Sequence, residues 1–523
     1  MYKAVSCHAE WLWLNRQLIV GLKPDILLEE DSIMSANKQP NIILITTDQQ
    51  RYDTLPPYAP PFMRTPHMNH LMRDGITFDR AYTCSPICVA ARASIITGKF
   101  PWKHRILGNQ ETSKAIRREG TLPSCLRECG YQTAAIGKMH FGPERTRHGF
   151  DEMILPADYY IEMDKNGFPQ KPMQHGLGQN ELYPGMATVP ESMTLTNWTA
   201  NQCVSYIRDR RDPNVPFFLW CSFSKPHPPL DPPEPYYSMY RNCPIPEPVI
   251  SDWSENDVPA PMKRHRECWS DDLVPPEVIR EARAAYYGLI TQIDYNIGRV
   301  FGALQDFNMF NETLFIFTSD HGEFLGDHHT GCKQFFHEPS ARIPFILRLP
   351  KSWDKRRYGE RVEHLATHAD ILPTFLAAAG GKAPADCDGE NLIDLLDGKI
   401  KNPRKYIDGT LGNILGDNPN VAYLGITDGE FKYMWYPEGG TEQLFDLKND
   451  PKELKNLASS KKHSTIKKRL RDEIIRRQKE RGGLFLKNGD LDSHPVKNDT
   501  EKERRSNPWP GYHTEHFHVD VRH

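Results

Sequence analysis

The chain has 523 residues, 38% of them hydrophobic and 25% charged, with a formal net charge of −3. These values describe a folded globular protein too long for one simple core, so a large and a small domain are expected. The near-neutral charge gives no general attraction to nucleic acid, and no run approaches the roughly 20 apolar residues of a membrane span.

Residues 1–37 read as an N-terminal extension. Trp11-Leu-Trp-Leu and Leu18-Ile-Val are short apolar patches broken by Asn15, Arg16 and Gln17, with no clean small-residue cleavage site after them. No secretory signal is read from this, the expectation is a cytoplasmic protein, and both Met1 and Met34 stand as starts. The eleven cysteines form no paired Cys-x-x-Cys pattern of the kind that holds zinc. Without an export signal, the sequons at Asn197, Asn311 and Asn498 are chance matches.

Pro40-Asn-Ile-Ile-Leu-Ile-Thr46 is a continuous apolar run, the pattern of a strand buried on both faces in a parallel sheet, and Asp48-Gln49 follow it. Thr65 to Gly75 predicts a helix with Pro66 early and Gly75 as its stop, and Ile76–Tyr82 a strand. Cys88-Val-Ala-Ala-Arg92, continued to Thr97-Gly98, predicts a short helix that places Cys88 at the N-terminus and Arg92 one turn on, on the same face. A helix N-terminus and a guanidinium favour an anion and lower a thiol pKa.

Leu122–Gly130 reads as another short helix, and Tyr131–Ile136 as a strand leading to Gly137-Lys138-Met139-His140. Leu195–Arg211 looks helical, and Phe217–Phe223 reads as a strand running into Lys225-Pro226-His227. Residues 152–190 and 228–275, rich in proline and without clear periodicity, are expected to be irregular walls of a site. Glu277–Leu304 carries Tyr286, Leu289, Ile293, Ile297, Val300 and Leu304 at helical spacing. Thr313–Thr318 predicts a buried strand followed by Asp320-His321, Ile343–Leu349 one more strand, and His368–Gly380 a helix with a glycine stop. From about residue 400 short antiparallel strands are expected at 421–426, 431–436 and 443–446, with a turn at Asp428-Gly429, then a basic helix near 465–479 with a solvated charged face.

Alternating strands and helices imply an α/β fold: a mostly parallel sheet sandwiched by helices, with a small C-terminal antiparallel sheet plus helix. Ligands of such sheets bind beyond the carboxyl ends of the strands. Four polar clusters occupy such ends: Asp48/Gln49, Lys138/His140, Lys225/His227 and Asp320/His321. A lysine or histidine after one strand is ordinary loop; four clusters on one edge are a candidate site. Asp48, Gln49, Asp320 and His321 form an oxygen-rich set suited to Ca²⁺, with Mn²⁺ or Mg²⁺ of the same class. Arg92, Lys138, His140, Lys225, His227 and Lys333 supply positive charge for an anion with several oxygens, such as sulfate or phosphate.

Cys88-Val-Ala-Ala-Arg92 with Thr97-Gly98 resembles the sulfatase signature. Gly137-Lys-Met-His140, Lys225-Pro-His227-Pro, Ser319-Asp-His-Gly322, Lys333 and the ending Leu444-Phe-Asp through Asn456-Leu-Ala resemble further blocks of that family, over roughly residues 38–460. The resemblance implies an alkaline-phosphatase-like fold with a catalytic domain over 38–400, a small α+β domain over 401–490 and a tail over 491–523. It also implies that a maturation enzyme oxidises Cys88 to formylglycine (3-oxoalanine), whose hydrate attacks sulfur to give a sulfo-enzyme. In that scheme Arg92 and Lys138 hold the hydrate, and Lys138, His227 and Lys333 bind the substrate. His227, with Lys333, protonates the leaving alcohol, and His140 is the base that restores the aldehyde. The substrate class implied is a small-molecule or oligosaccharide sulfate ester. Asp48-Gln49 and Asp320-His321 replace the Asp-Asp and Asp-Asn pairs of many members and resemble the phosphonate monoester hydrolase and choline-sulfatase branch. A phosphonate monoester or phosphodiester hydrolase is therefore the same-site alternative, and a non-catalytic anion- or glycan-binding relative the second.

Overall fold

The computed structural model describes residues 39–109, 116–168, 177–269, 271–353, 357–413 and 420–496. The readings made for residues 1–37 and for most of the 491–523 tail lie outside the described residues.

The first strands and helices in chain order are β1 (Asn41–Asp48), α1 (Pro66–Asp74), β2 (Ile76–Tyr82), α2 (Cys88–Thr97), α3 (Leu122–Glu128), β3 (Gln132–Gly137) and β4 (Glu152–Ile154). They are followed by α4 (Leu195–Ser205), β5 (Phe217–Pro226), α5 (Pro276–Asp306), β6 (Thr313–Ser319), β7 (Phe345–Arg348), β8 (Glu360–Thr367) and α6 (Ile371–Ala378). The eight strands form one sheet in the order β4-β3-β5-β1-β6-β7-β2-β8. Within it only β7 is antiparallel to its neighbours. At the centre Leu44 of β1 stands level with Trp220 of β5 and Ile316 of β6.

Successive strand residues point to opposite faces, and the two faces feed two cores. Ile42, Leu44, Trp220 and Ile316 pack with α2, α3 and α6. Ile43, Ile45, Leu219 and Phe317 pack with residues of α1, α4 and α5. Each such side chain, fully buried, contributes about 1.5–3 kcal/mol. This two-faced burial is why β1 and β6 are apolar without alternation. The stripe from Tyr286 to Leu304 on α5 is buried throughout, as its spacing demands.

Beyond residue 400, β9 (Ile407–Asn413), β10 (Asn420–Thr427), β11 (Phe431–Trp435) and β12 (Glu442–Asp446) make an antiparallel sheet in the order β12-β11-β10-β9. Gly429, at φ 86°, makes the tight turn between β10 and β11. Helix α7 (Ser464–Glu480) lays Leu470 and Ile474 against Leu424, Tyr433 and Leu444, and its basic face points outward.

Three features differ from the sequence reading. The supposedly irregular segments contain helices over Pro156–Lys165, Asp252–Asn256 and Ala260–Trp269, which prolines and short lengths hid. Strand β8 was not anticipated: among the described residues it pairs only with β2, and it alternates exposed, charged residues, so it lacks the apolar signature of the inner strands. Strand β9 was missed because Gly409 and Gly412 interrupt its pattern. Gly75 stops α1 as expected; its backbone is extended, and glycine is needed there because a Cβ would lie 2.6 Å from the carbonyl oxygen of Leu347. The ten described cysteines are all thiols.

Candidate active site

The strand order explains why distant sequence clusters meet. β3, β5, β1 and β6 are consecutive and parallel, so the residues after their carboxyl ends share one edge. Helix α2 points its N-terminus at that edge. Ile87 is extended and Cys88 takes the first helical position, while the Val89 N–H donates to Oδ1 of Asn109 at 3.1 Å. All ten residues of α2 are buried, and its alanines let it lie close in the core. Gly98, at φ 64°, ends it with its N–H on the Ser94 carbonyl.

Cys88 enters a buried quartet with Asp48, Asp320 and His321, whose ligand atoms lie within 4.8 Å of one another. Its Sγ is 3.2 Å from Nε2 of His321 and 3.7 Å from Oδ1 of Asp48. His321 donates Nδ1–H to the Gly322 carbonyl at 2.9 Å, which turns Nε2 toward the thiol. Two carboxylates and an imidazole converging in a buried space fit a divalent cation.

A layer of cations stands behind the quartet. Lys138 Nζ lies 2.5 Å from Oδ2 of Asp48. The guanidinium of Arg92, wholly buried, binds Oδ2 of Asp320 at 3.0 Å, donates to Oγ of Ser222 at 2.9 Å and to the Lys138 carbonyl, and lies 3.6 Å from Asp48. Burial opposes ionisation of Asp48, but Lys138, with Arg92 and His321, outweighs it and holds its pKa well below the usual value. Burial and Asp48 push the Cys88 thiol up, and Lys333, Lys138 and His321 pull it further down, so its pKa falls well below that of a free thiol.

Gln49, at φ 72°, gives its backbone N–H to Oδ1 of Asp320 at 3.0 Å. Its side-chain amide donates to Glu323 and accepts from Lys333 Nζ at 2.7 Å. Lys333 Nζ also donates to Nε2 of His227 at 2.9 Å, while His227 directs Nδ1–H to the Pro228 carbonyl at 2.7 Å. Burial, Lys333 and Lys138 hold the His227 pKa well below 6.5. Burial lowers and Cys88 and Asp48 raise that of Lys333, with a net increase. The proton of this pair therefore resides on Lys333.

A cleft of about 280 Å³ opens beside the quartet, lined among others by Lys138, His140, Tyr159, Tyr160, Lys225 and His227. The structure thus groups Asp48, Gln49, Cys88, Arg92, Lys138, His227, Asp320, His321 and Lys333 around one point. His140 stands in the cleft wall, with Nδ1 buried and lacking a hydrogen-bond partner among the described residues. Lys225 stands on the cleft wall, its ammonium bound to Asp231 and to the Pro229 carbonyl at 2.6 Å. Three supporting residues escaped the sequence reading. Glu323 holds the Gln49 amide, Ser222 receives Arg92, and Asn180 accepts from Lys333 at 3.5 Å. Glu323 is two residues past His321, and a search for a second acid beside the Asp320 pair would have found it. Asn180 lies in a stretch with no pattern to read.

A family model described as sulfatase matches residues 40–381, and one described as N-sulphoglucosamine sulphohydrolase, C-terminal, matches 326–480. An arylsulfatase of Clostridium perfringens is 35% identical over 84% of this chain and 94% of its own length. A multifunctional alkaline phosphatase superfamily protein of Trinickia caryophylli is 30% identical over 82% of this chain and 92% of its own length. Among solved structures, the phosphonate monoester hydrolase of Agrobacterium radiobacter superposes with a TM-score of 0.71 at 25% identity, covering 84% of this chain and 96% of that one. The matched span holds every strand end that builds the site, and the chain belongs to the sulfatase family, hydrolases of sulfuric esters.

Proposed function

We propose that the enzyme cleaves sulfate monoesters of carbohydrates through residue 88, converted by a maturation enzyme from cysteine to formylglycine, with Ca²⁺ held by Asp48, Gln49, Asp320 and His321. The observation that carries this reading is the position of the residue 88 side chain: first in its helix, buried, and 3.2 Å from His321. Formylglycine supplies a hydrated aldehyde hydroxyl as nucleophile, and the cation would lower the charge on that hydroxyl and on the ester oxygens.

The chain's own groups do the rest. Arg92 and Lys138 fix the two carboxylates and offset their charge. Lys333, which carries the proton of its pair with His227, is the donor nearest to hand for the leaving alcohol oxygen; His227 Nε2 takes its place in the relay. This moves the acid role from His227 toward Lys333. His140, whose buried Nδ1 in the cleft has no partner among the described residues, suits the base that collects a proton when sulfate leaves. The carbohydrate assignment draws support from an N-acetylglucosamine-6-O-sulfatase of Bacteroides thetaiotaomicron, 25% identical over 91% of this chain.

Matured enzyme should hydrolyse an aryl sulfate, and Cys88→Ala should lower kcat by at least about 10³-fold with the fold intact. Retained turnover would end the role of residue 88. The second reading, a phosphonate monoester hydrolase, is favoured by the amide of Gln49, which puts one carboxylate fewer beside the anion. It is tested by comparing aryl sulfate with aryl phosphonate of the same leaving group: the proposal expects the higher kcat/KM on sulfate.

A further inference from the structure

Before conversion residue 88 is a thiol, and the thiol site is a complete ligand set for another class of metal. Zn–S bonds of about 2.3 Å and Zn–N or Zn–O bonds of about 2.0–2.1 Å at tetrahedral angles set donor separations of about 3.6 Å from sulfur and about 3.4 Å between the others. Cys88 Sγ lies 3.2 Å from His321 Nε2 and 3.7 Å from Asp48 Oδ1. His321 Nε2 lies 3.8 Å from Asp48 Oδ1 and 3.7 Å from Asp320 Oδ1. These four of the six edges are within about 0.4 Å of the tetrahedral value, and all four ligand atoms lie within 4.8 Å of one another.

The orientation of the donors agrees. Lys138 and Arg92 occupy Oδ2 of Asp48 and of Asp320, while the two Oδ1 atoms are the ones near His321 Nε2. Oδ1 of Asp320 also accepts the N–H groups of Gln49 at 3.0 Å and His321 at 2.9 Å, which fixes that carboxylate. The Nδ1–H···O=C bond of His321 sets the tautomer a metal-bound imidazole needs. None of the four residues is more than 1% exposed.

We infer that the unconverted form binds a borderline transition cation, Zn²⁺ above all, as a closed four-coordinate site of Cys88 thiolate, His321, Asp48 and Asp320. Thiolate and neutral imidazole are the ligating forms, so whatever proton the Cys88–His321 pair holds leaves to solvent when the ion binds. A thiolate selects Zn²⁺ over Ca²⁺, and an all-oxygen residue 88 removes that preference. Conversion of one side chain therefore changes the metal class of the site, and unconverted chains are inert zinc proteins. The inference rests on reading the quartet as the metal centre.

The test uses the full chain made in a host without the maturation enzyme, its thiol verified by peptide mass and its metals removed by chelation. One equivalent of Co²⁺ should give a thiolate-to-cobalt charge-transfer band and the intense visible bands of tetrahedral Co²⁺. Zn²⁺ should abolish both, and a large excess of Ca²⁺ should not. Cys88→Ala, checked for native circular dichroism, should lose the charge-transfer band and bind Zn²⁺ at least about 100-fold more weakly. Cys88→Ser, closer in shape, repeats the test if the alanine variant misfolds. Co²⁺ bound without the band, a band unchanged in the variants, or equal displacement by Ca²⁺ would each overturn the inference. Sulfatase activity of fully converted protein is read separately: activity there with no band in the thiol form rejects this inference alone, and no activity there rejects the proposed function.

Discussion

Replacing Arg92 by methionine tests whether the site is organised around cation-balanced carboxylates. The guanidinium is fully buried and sits 3.0 Å from Asp320 and 3.6 Å from Asp48. Without it two carboxylates face each other with ligand atoms within 4.8 Å, and only Lys138 remains on Asp48. At an effective dielectric of 20, two unit charges at that separation repel by about 3.5 kcal/mol. This falls in the range of about 3–5 kcal/mol seen when one partner of a buried ion pair is removed. The metal-free variant should therefore lose about 3–5 kcal/mol in urea unfolding. A divalent cation would replace the missing charge, and Arg92 no longer repels it, so Ca²⁺ should bind the variant more tightly. A tenfold gain in affinity narrows the stability gap by about 1.4 kcal/mol at saturating Ca²⁺. A loss below about 1 kcal/mol, or a gap that Ca²⁺ leaves unchanged, would refute the electrostatic account.

Lys432 is fully buried between Glu338 at 2.7 Å and Glu453 at 3.0 Å and ties β11 to the segment that carries Lys333. Lys432→Met should cost about 3–5 kcal/mol at pH 8 and less at pH 5. Burial already raises Glu453 to about 7, so it takes up a proton readily; an equal loss at both pH values in urea titrations would sink this reading. Burial holds His104 at about 3 and His265 and His328 at about 4, against 6.5 unfolded. Between pH 6.5 and 4 only the unfolded chain takes these protons, so stability is complete above 6.5 and falls with pH, by about 1.4 kcal/mol per unit for each histidine. The three together give about 4 kcal/mol per pH unit near pH 5, visible as a steep fall in the urea midpoint; a flat midpoint from pH 6 to 5 would contradict it. Lys225→Met should raise KM for a sulfated sugar about tenfold, the loss of one hydrogen bond, and leave aryl sulfate kcat within about twofold. A collapse of aryl sulfate kcat would restore Lys225 to the chemistry.

What the sequence disclosed depended on how each feature was written into it. Strands β1 and β6 are buried on both faces, so their apolar runs announced a parallel sheet, and the polar residues after them were legible as a site because such sheets place ligands at that edge. The helix at Cys88 was legible from its alanines and Gly98. Edge strand β8 has one packed neighbour and reads as charged surface. For Lys225 spacing puts a residue at a strand end without saying where its side chain turns; Asp231, six residues on, decides that. The placement of the proton on Lys333 depends on a burial shared by Gln49, His227 and Lys333, which come from three separated segments.

The most direct test of the central claim is the mass of the proteolytic peptide containing Cys88, taken from a preparation that hydrolyses aryl sulfate. The account expects a peptide lighter by the difference between a thiol and an aldehyde, reactive toward a hydrazide, in a fraction that rises in step with specific activity across preparations. An intact thiol in fully active protein would contradict it.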